Sequence, residues 1–207
     1  MAQTVGILGG GQLARMMAIA GAPLGLRFRV VDTVKDACAS QVAPLTCADY
    51  NDFDAITTFS DGIDVVTFDF ENVPADTAMF LASRVPVFPN PQALAVAQDR
   101  LEEKQLFQRL GMQTPEFATV DAREDLEAGI AKVGLPAILK TRRLGYDGKG
   151  QIRIKSKDDL NAAWAKLGDV PLILEAMVPF EREISVVAVR GRGGDFATYP
   201  LTQNWHA

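Results

Sequence analysis

The sequence predicts an α/β protein: a doubly wound parallel-sheet domain, then a smaller α+β unit, then the opening strands of a third region. Three observations carry this prediction. An apolar run over Thr4–Leu8 enters the turn Gly9-Gly10-Gly11, followed by helical spacing over residues 12–24 and an apolar run at 28–31, the order that opens a parallel sheet. Pro86, Pro89 and Pro91 surround Asn90 and break the chain there. Beyond them, strand and helix patterns restart around a basic, glycine-rich stretch at residues 140–151.

The first region spans residues 1–90. Its turn matches GxGxxA at Gly9, Gly11 and Ala14, and Asp32 ends the second strand. That pattern suits a nicotinamide dinucleotide, with pyrophosphate on the helix N-terminus and ribose on the acid. It suits equally a turn without ligand, because glycine is needed wherever strand and helix backbones approach closely. Both readings stay open at this point. Residues 64–70 form a buried strand ending at Glu71 and Asn72, Pro74 starts a helix carrying Met79, Phe80 and Leu81, and residues 85–88 return as a short strand.

Residues 91–115 read as a helical linker, with Leu94, Ala97, Leu101, Phe107 and Leu110 on one stripe that stops at Gly111. Arg100 and Lys104 lie in it as surface cations unless the helix faces a ligand. From 116 to 180 the order is α-β-β-α-β. Leu126, Ile130 and Val133 make a helical face stopped by Gly134, and residues 135–139 form a strand that delivers Lys140. Ile152 and Ile154 alternate in a second strand, and Ser156 with Asp159 forms a capping box ahead of Leu160, Trp164 and Leu167. A third strand at 172–174 runs into Glu175. Residues 184–189 and 196–201 then pair across a turn at 191–194, a hairpin whose apolar face needs something further to pack on.

Composition narrows the function classes. The chain has 207 residues, 48% hydrophobic and 23% charged, enough for one large or two small cores. A net charge of -5 and a pI near 5.0 leave no global cationic field for nucleic acid or anionic membrane, so any phosphate binding must be local. Cys38 and Cys47 fit neither a disulfide framework nor a zinc site, and are expected to be buried and reduced. No apolar stretch approaches the ~18 residues of a spanning helix. His206 is the only histidine, which excludes histidine-rich metal centres and leaves little room for a Ser-His-Asp triad.

The stretch at 140–151 combines Gly145, Gly148 and Gly150 with Lys140, Arg142, Arg143 and Lys149. On composition it is either a solvated basic turn or a loop that folds its backbone over an anion, nucleotide phosphate first among them. Its neighbours favour the second reading. A strand-end lysine (Lys140), a glycine loop, a strand-end acid followed by apolar residues, and a second acid (Glu183) opening the next strand occur in this order after a Rossmann-like domain. This set resembles the ATP-grasp superfamily. The segments GILGGGQLARM, TFDFENVP, QDRLEEKQLF, GYDGKGQ, EREISV and YPLTQNWH bring the resemblance close to its 5-(carboxyamino)imidazole ribonucleotide synthase family, over the whole chain.

The resemblance implies a Rossmann-like first domain, an ATP-grasp α+β lid at 116–180 and the start of the ATP-grasp core at 181–207. It implies ATP-dependent carboxylation of 5-aminoimidazole ribonucleotide with bicarbonate, in a cytoplasmic homodimer. Arg100 and Lys140 would contact ATP phosphates, and Gly145, Tyr146, Asp147, Gly148, Lys149, Gly150 and Gln151 would close over them. Glu175, Ala176, Met177 and Val178 would form the adenine hinge, Glu183 would take the ribose hydroxyls, and His206 would lie near the nucleotide. Tyr146 and Lys149 are the candidates for holding bicarbonate. Gly11, Gln12, Leu13 and Glu71 would meet the ribonucleotide. Ala14 and Asp69 depart from the glycine and glutamate usual there. Family members continue past residue 207 and carry their Mg2+ ligands in that part, so this polypeptide is expected to be the first half of an enzyme, inactive by itself.

Overall fold

The computed structural model of the chain describes residues 2–145 and 149–205. Strands β1 (Thr4–Leu8), β2 (Arg27–Asp32), β3 (Leu45–Cys47) and β4 (Val65–Phe68) form a parallel sheet in the order β3-β2-β1-β4. Pleating divides its residues between two cores. Ile7 and Val30 pack with Ala14 and Ala18 of α1 (Gln12–Gly21) on one face. Leu8 and Val31 pack with Ile56 and Phe59 of α2 (Phe53–Ser60) and with Ala78 and Leu81 of α3 (Ala75–Ala82) on the other. A sheet buried on both faces is why β1 reads as an apolar run without alternation.

The structure corrects several expectations here. β3 and α2 occupy residues to which the sequence pattern assigns no element, and β3 is a three-residue edge strand. The strand expected at 85–88 is a single bridge from Val87 to Val66, because Pro86 and Pro89 remove ladder donors on either side. Cys47 ends the edge strand exposed, and Cys38 is half-buried, so the expected burial of both fails.

The linker stripe is two helices, α4 (Pro91–Ala97) and α5 (Arg100–Arg109). Asp99 marks the break. Its carboxylate accepts from the Leu101 N–H at 3.0 Å and caps α5.

Strands β5 (Phe117–Val120), β6 (Ala137–Thr141), β7 (Gln151–Ile154) and β8 (Leu172–Ala176) form a second sheet, antiparallel throughout, in the order β5-β8-β6-β7. β5 precedes the helix with which the unit was expected to start, so the order is β-α-β-β-α-β. Helices α6 (Asp125–Val133) and α7 (Leu160–Leu167) cover one face, where Leu126, Ile130, Leu160 and Ala163 meet Val120, Leu139, Ile154, Leu172 and Leu174. The Ser156–Asp159 capping box is present and opens a 3-10 turn before α7. Ile138, Lys140, Ile173 and Glu175 occupy the intervening positions and so share the opposite face.

The terminal hairpin is interrupted. β9 (Glu183–Ser185) pairs with β12 (Thr202–Asn204), and β10 (Ala188–Arg190) with β11 (Phe196–Thr198). Pro200 cannot donate to a ladder between the two pairs. Ile184, Val187, Val189, Phe196, Tyr199 and Trp205 are all exposed.

Candidate functional site

At the carboxyl end of the first sheet the glycine turn is filled by the protein's own carboxylates. The Gly10 N–H donates to Asp32 Oδ2 at 2.7 Å and the Gly11 N–H to Asp69 Oδ2 at 2.8 Å, while Asp69 Oδ1 accepts from Ala14. Asp69 thereby covers the N-terminus of α1 with negative charge, where a dinucleotide fold seats its pyrophosphate. Asp32 Oδ1 accepts from Val34, and its Oδ2 lies 3.4 Å from the Tyr50 hydroxyl, whose pKa burial and then the Asp32 charge push up. A Cβ on Gly11 would stand 2.3 Å from Asp69 Oδ2, and one on Gly10 2.8 Å from Ala37 Cβ.

These glycines admit protein groups. The dinucleotide reading therefore loses both its phosphate donors and its ribose acid. The N–H groups of Gln12 and Leu13 have no hydrogen-bond partner among the described residues, and both side chains are exposed. Glu71, also exposed, follows the neighbouring strand.

The second cluster joins the linker to the smaller sheet. Glu175 Oε2 lies 3.0 Å from Lys140 Nζ and 3.2 Å from Lys104 Nζ. Arg100 donates from Nη1 to the Thr141 carbonyl at 2.9 Å and from Nη2 to the Gly145 carbonyl at 2.7 Å, and its own N–H donates to the Arg142 carbonyl at 3.0 Å. Arg142 meets Asp99 through two hydrogen bonds, from Nε at 2.9 Å and Nη2 at 2.7 Å. Burial pushes the Asp99 carboxyl up, but hydrogen bonds from Arg142 and the Leu101 N–H outweigh it and hold it below the usual range.

The loop stem at 141–145 is thus fixed to the start of α5 by backbone and side chains together. A Cβ on Gly145 would lie 2.9 Å from Arg100 Nη1, so a side chain there would push the guanidinium off the loop carbonyls. On the return side Gly150 has φ of +69°, and its carbonyl accepts from the Thr141 N–H at 2.8 Å. A cavity of about 540 Å3 lies against this stem, between Thr141, Arg142, Leu144 and Gly150 on one side and Val170 and Pro171 on the other.

Lys140, Gly145, Lys149, Gly150 and Gln151 therefore come together at one end of the second sheet, and Glu175, opposite Ile138 farther along the same face, reaches Lys140 diagonally. Arg100 donates to loop carbonyls, because α5 starts directly beneath the stem. In the hinge, the Ala176 and Met177 N–H groups are taken by the Glu116 and Pro136 carbonyls, which leaves the Val178 N–H as the donor for a ring edge. Glu183 lies on β9, where it accepts from Asn204 Nδ2 at 3.0 Å. Tyr146, Asp147, Gly148 and His206 lie outside the described residues.

Sequence reasoning missed Asp99 and Gln98, and left Lys104 as a surface cation unless its helix faces a ligand. Lys104 follows Arg100 by one helical turn, a signal of a shared face. Asp99 could have been read as a helix cap. Gln98 carried no signal, yet its Nε2 donates to the carbonyls of Glu71 and Val73 and ties the α4–α5 break to the first domain. Glu71, Gln98, Arg100, Glu103 and Gly145 consequently line one polar cavity of about 140 Å3.

Residues 1–98 match the ribonucleotide synthetase preATP-grasp domain, and residues 105–207 match the ATP-grasp domain. The chain belongs to the ATP-grasp superfamily. Within it, the similarity is to N5-carboxyaminoimidazole ribonucleotide synthases. The Pseudomonas aeruginosa enzyme is 50% identical over 202 residues, covering 98% of this chain and 56% of its own. The crystal structure of the Thermus thermophilus synthetase superposes with a TM-score of 0.91 at 51% identity, covering 98% of this chain and 55% of that one. The Aspergillus clavatus synthase, in complex with ADP and 5-aminoimidazole ribonucleotide, gives 0.88 at 26% identity, covering 100% and 54%. The chain spans about half the length of the curated relatives it matches.

Proposed function

We propose that the chain carries the nucleotide-binding part of an ADP-forming ligase that carboxylates 5-aminoimidazole ribonucleotide to its N-carboxy form, using ATP and bicarbonate, in purine biosynthesis. The observation that carries this reading is the sheet face on which Lys140, Glu175 and Lys104 meet beside a glycine loop anchored by Asp99 and Arg100. Such a face offers surplus positive charge and a closely approaching backbone, which a polyphosphate requires.

In the proposed reaction a bicarbonate oxygen attacks the γ-phosphorus of ATP, the bond to ADP breaks, and carboxyphosphate forms. The substrate amine then attacks the carboxyl carbon and phosphate leaves. This chemistry needs positioning and charge neutralisation and no protein nucleophile. Lys140 would neutralise phosphate oxygens, the loop at 145–151 would exclude water, and Tyr146 and Lys149 would hold bicarbonate. Residues 175–178 would seat adenine, with Glu183 at the ribose and His206 beside the nucleotide. Gly11, Gln12, Leu13 and Glu71 would meet the ribonucleotide, the Gln12 and Leu13 N–H groups being the donors that Asp69 leaves unused at the start of α1.

Mg2+ belongs to this chemistry, but among the described residues no group of three or more His, Cys, Asp or Glu side chains could hold a metal ion. No helix is long and apolar enough to cross a membrane. A cytoplasmic location, a homodimer, and a division into 1–90, a linker at 91–115, a lid at 116–180 and core strands at 181–207 complete the proposal.

Thermal melts of the 207-residue chain test it. ATP at about a hundred times its Kd is expected to raise Tm by about 5 °C, and NADH at the same concentration to leave it unchanged. Protection by NADH without protection by ATP overturns the reading.

A further inference from the structure

Two ammonium groups share one buried carboxylate oxygen. Lys140 and Lys104 both lie within ion-pair distance of Glu175 Oε2, and the Glu175 side chain is only 7% exposed. One cation neutralises one carboxylate, so the trio carries a surplus positive charge. The lysines differ in placement. Lys140 is the next-to-last residue of β6, beside the glycine loop, and is the more exposed, at 21% against 14% for Lys104. Lys104 stands on the second turn of α5, whose start is fixed to the loop stem through Asp99 and Arg100.

We propose that Lys104 is a positioning residue that keeps Glu175 neutralised, so that Lys140 can leave the carboxylate for the phosphate oxygens of the nucleotide. The inference rests on the ATP reading above. A phosphate approaching Lys140 competes with Glu175 for the same ammonium. With Lys140 as sole counter-ion, its departure would strand a desolvated carboxylate, which a folded protein strongly resists. Lys140 would stay, and the phosphate would lose its contact. With Lys104 in place the carboxylate keeps a partner throughout, and the exchange needs only a side-chain rotation at Lys140. Lys104 acts through Glu175 and touches no substrate.

Calorimetric titration of ATP and of adenosine into the 207-residue chain and its variants tests this. Lys104→Met is expected to weaken ATP about thirtyfold or more and to leave adenosine unchanged, since adenosine places no phosphate on Lys140. Lys104→Arg, which retains the charge, stays within about fivefold of the unmodified chain. Adding Glu175→Gln to Lys104→Met removes the carboxylate that detains Lys140, and the ratio of ATP to adenosine affinity, which cancels any effect of Glu175 on the base, returns to within about fivefold of the unmodified chain's. Lys104→Gln gives the same readings where the methionine variant does not fold. A purely structural lysine would weaken both ligands together, and a second loss would not restore binding. Unchanged ATP affinity in Lys104→Met, equal losses for ATP and adenosine, or no recovery in the double variant each overturn the inference while the ATP reading stands. Failure of the unmodified chain to bind ATP removes both.

Discussion

Asp99 shows how much one side chain can organise. It caps α5, receives both nitrogens of an Arg142 fork, and lies 3.6 Å from Arg143 Nε. Its folded pKa is depressed, so its stabilisation is fully present above the unfolded value of about 3.9 and is lost as pH falls below that toward the folded value. Asp99→Asn keeps a capping oxygen and removes the charge pair. The expected loss is about 3 kcal/mol at pH 7 by urea denaturation, shrinking as the pH is taken from 7 to below about 4. A difference that is the same at both ends of that range would show that the ion pair contributes nothing. The cap was not read, because Asp99 falls inside an apolar stripe that runs unbroken from Leu94 to Leu110 in the sequence. Its partner lies 43 residues away and could not be read from spacing.

At the scale of an element, the β1 turn and α1 separate what a motif says from what it does. GxGxxA and the tight turn require glycine for the same reason, close backbone approach, so the sequence could not choose between ligand and protein as the approaching group. The chooser is Asp69, 58 residues on from Gly11. Gly11→Ala places a Cβ against that carboxylate and is expected to cost about 2 kcal/mol of folding stability, through loss of charge and hydrogen bonds at the helix N-terminus. Chemical denaturation measures it. An undiminished stability would mean that Asp69 does not hold the turn. The strand at 85–88 failed on related grounds: an apolar run counted for more than the two prolines that starve it of donors.

For the whole molecule, the decisive joint is the α4–α5 break. There Gln98 holds two carbonyls of the first domain while Asp99 and Arg100 hold the loop stem. The break accordingly joins the two cores, since Leu94 of α4 belongs to the first while Arg100 of α5 holds the stem of the second sheet's loop. Gln98→Ala leaves both carbonyls without this donor and is expected to lower stability by about 1–3 kcal/mol and to broaden the calorimetric transition as the cores uncouple. A transition of unchanged midpoint and width would assign the coupling elsewhere.

The sequence by itself determined the strands β1, β2, β4, β6, β7 and β8, the glycine loop between β6 and β7, the capping box and the superfamily, because each is written in local periodicity or in a short run of residue types, whereas the edge strands β3 and β5 carried no such run. Tertiary structure decided what the glycine turn of the first domain holds, where Arg100 spends its donors, and that Glu175 is shared by two lysines. Those outcomes depend on charged groups that meet across tens of residues, and a one-dimensional spacing carries no record of such meetings. The glycine loop was visible as a composition. The stem that anchors it became visible only once α5 lay against β6.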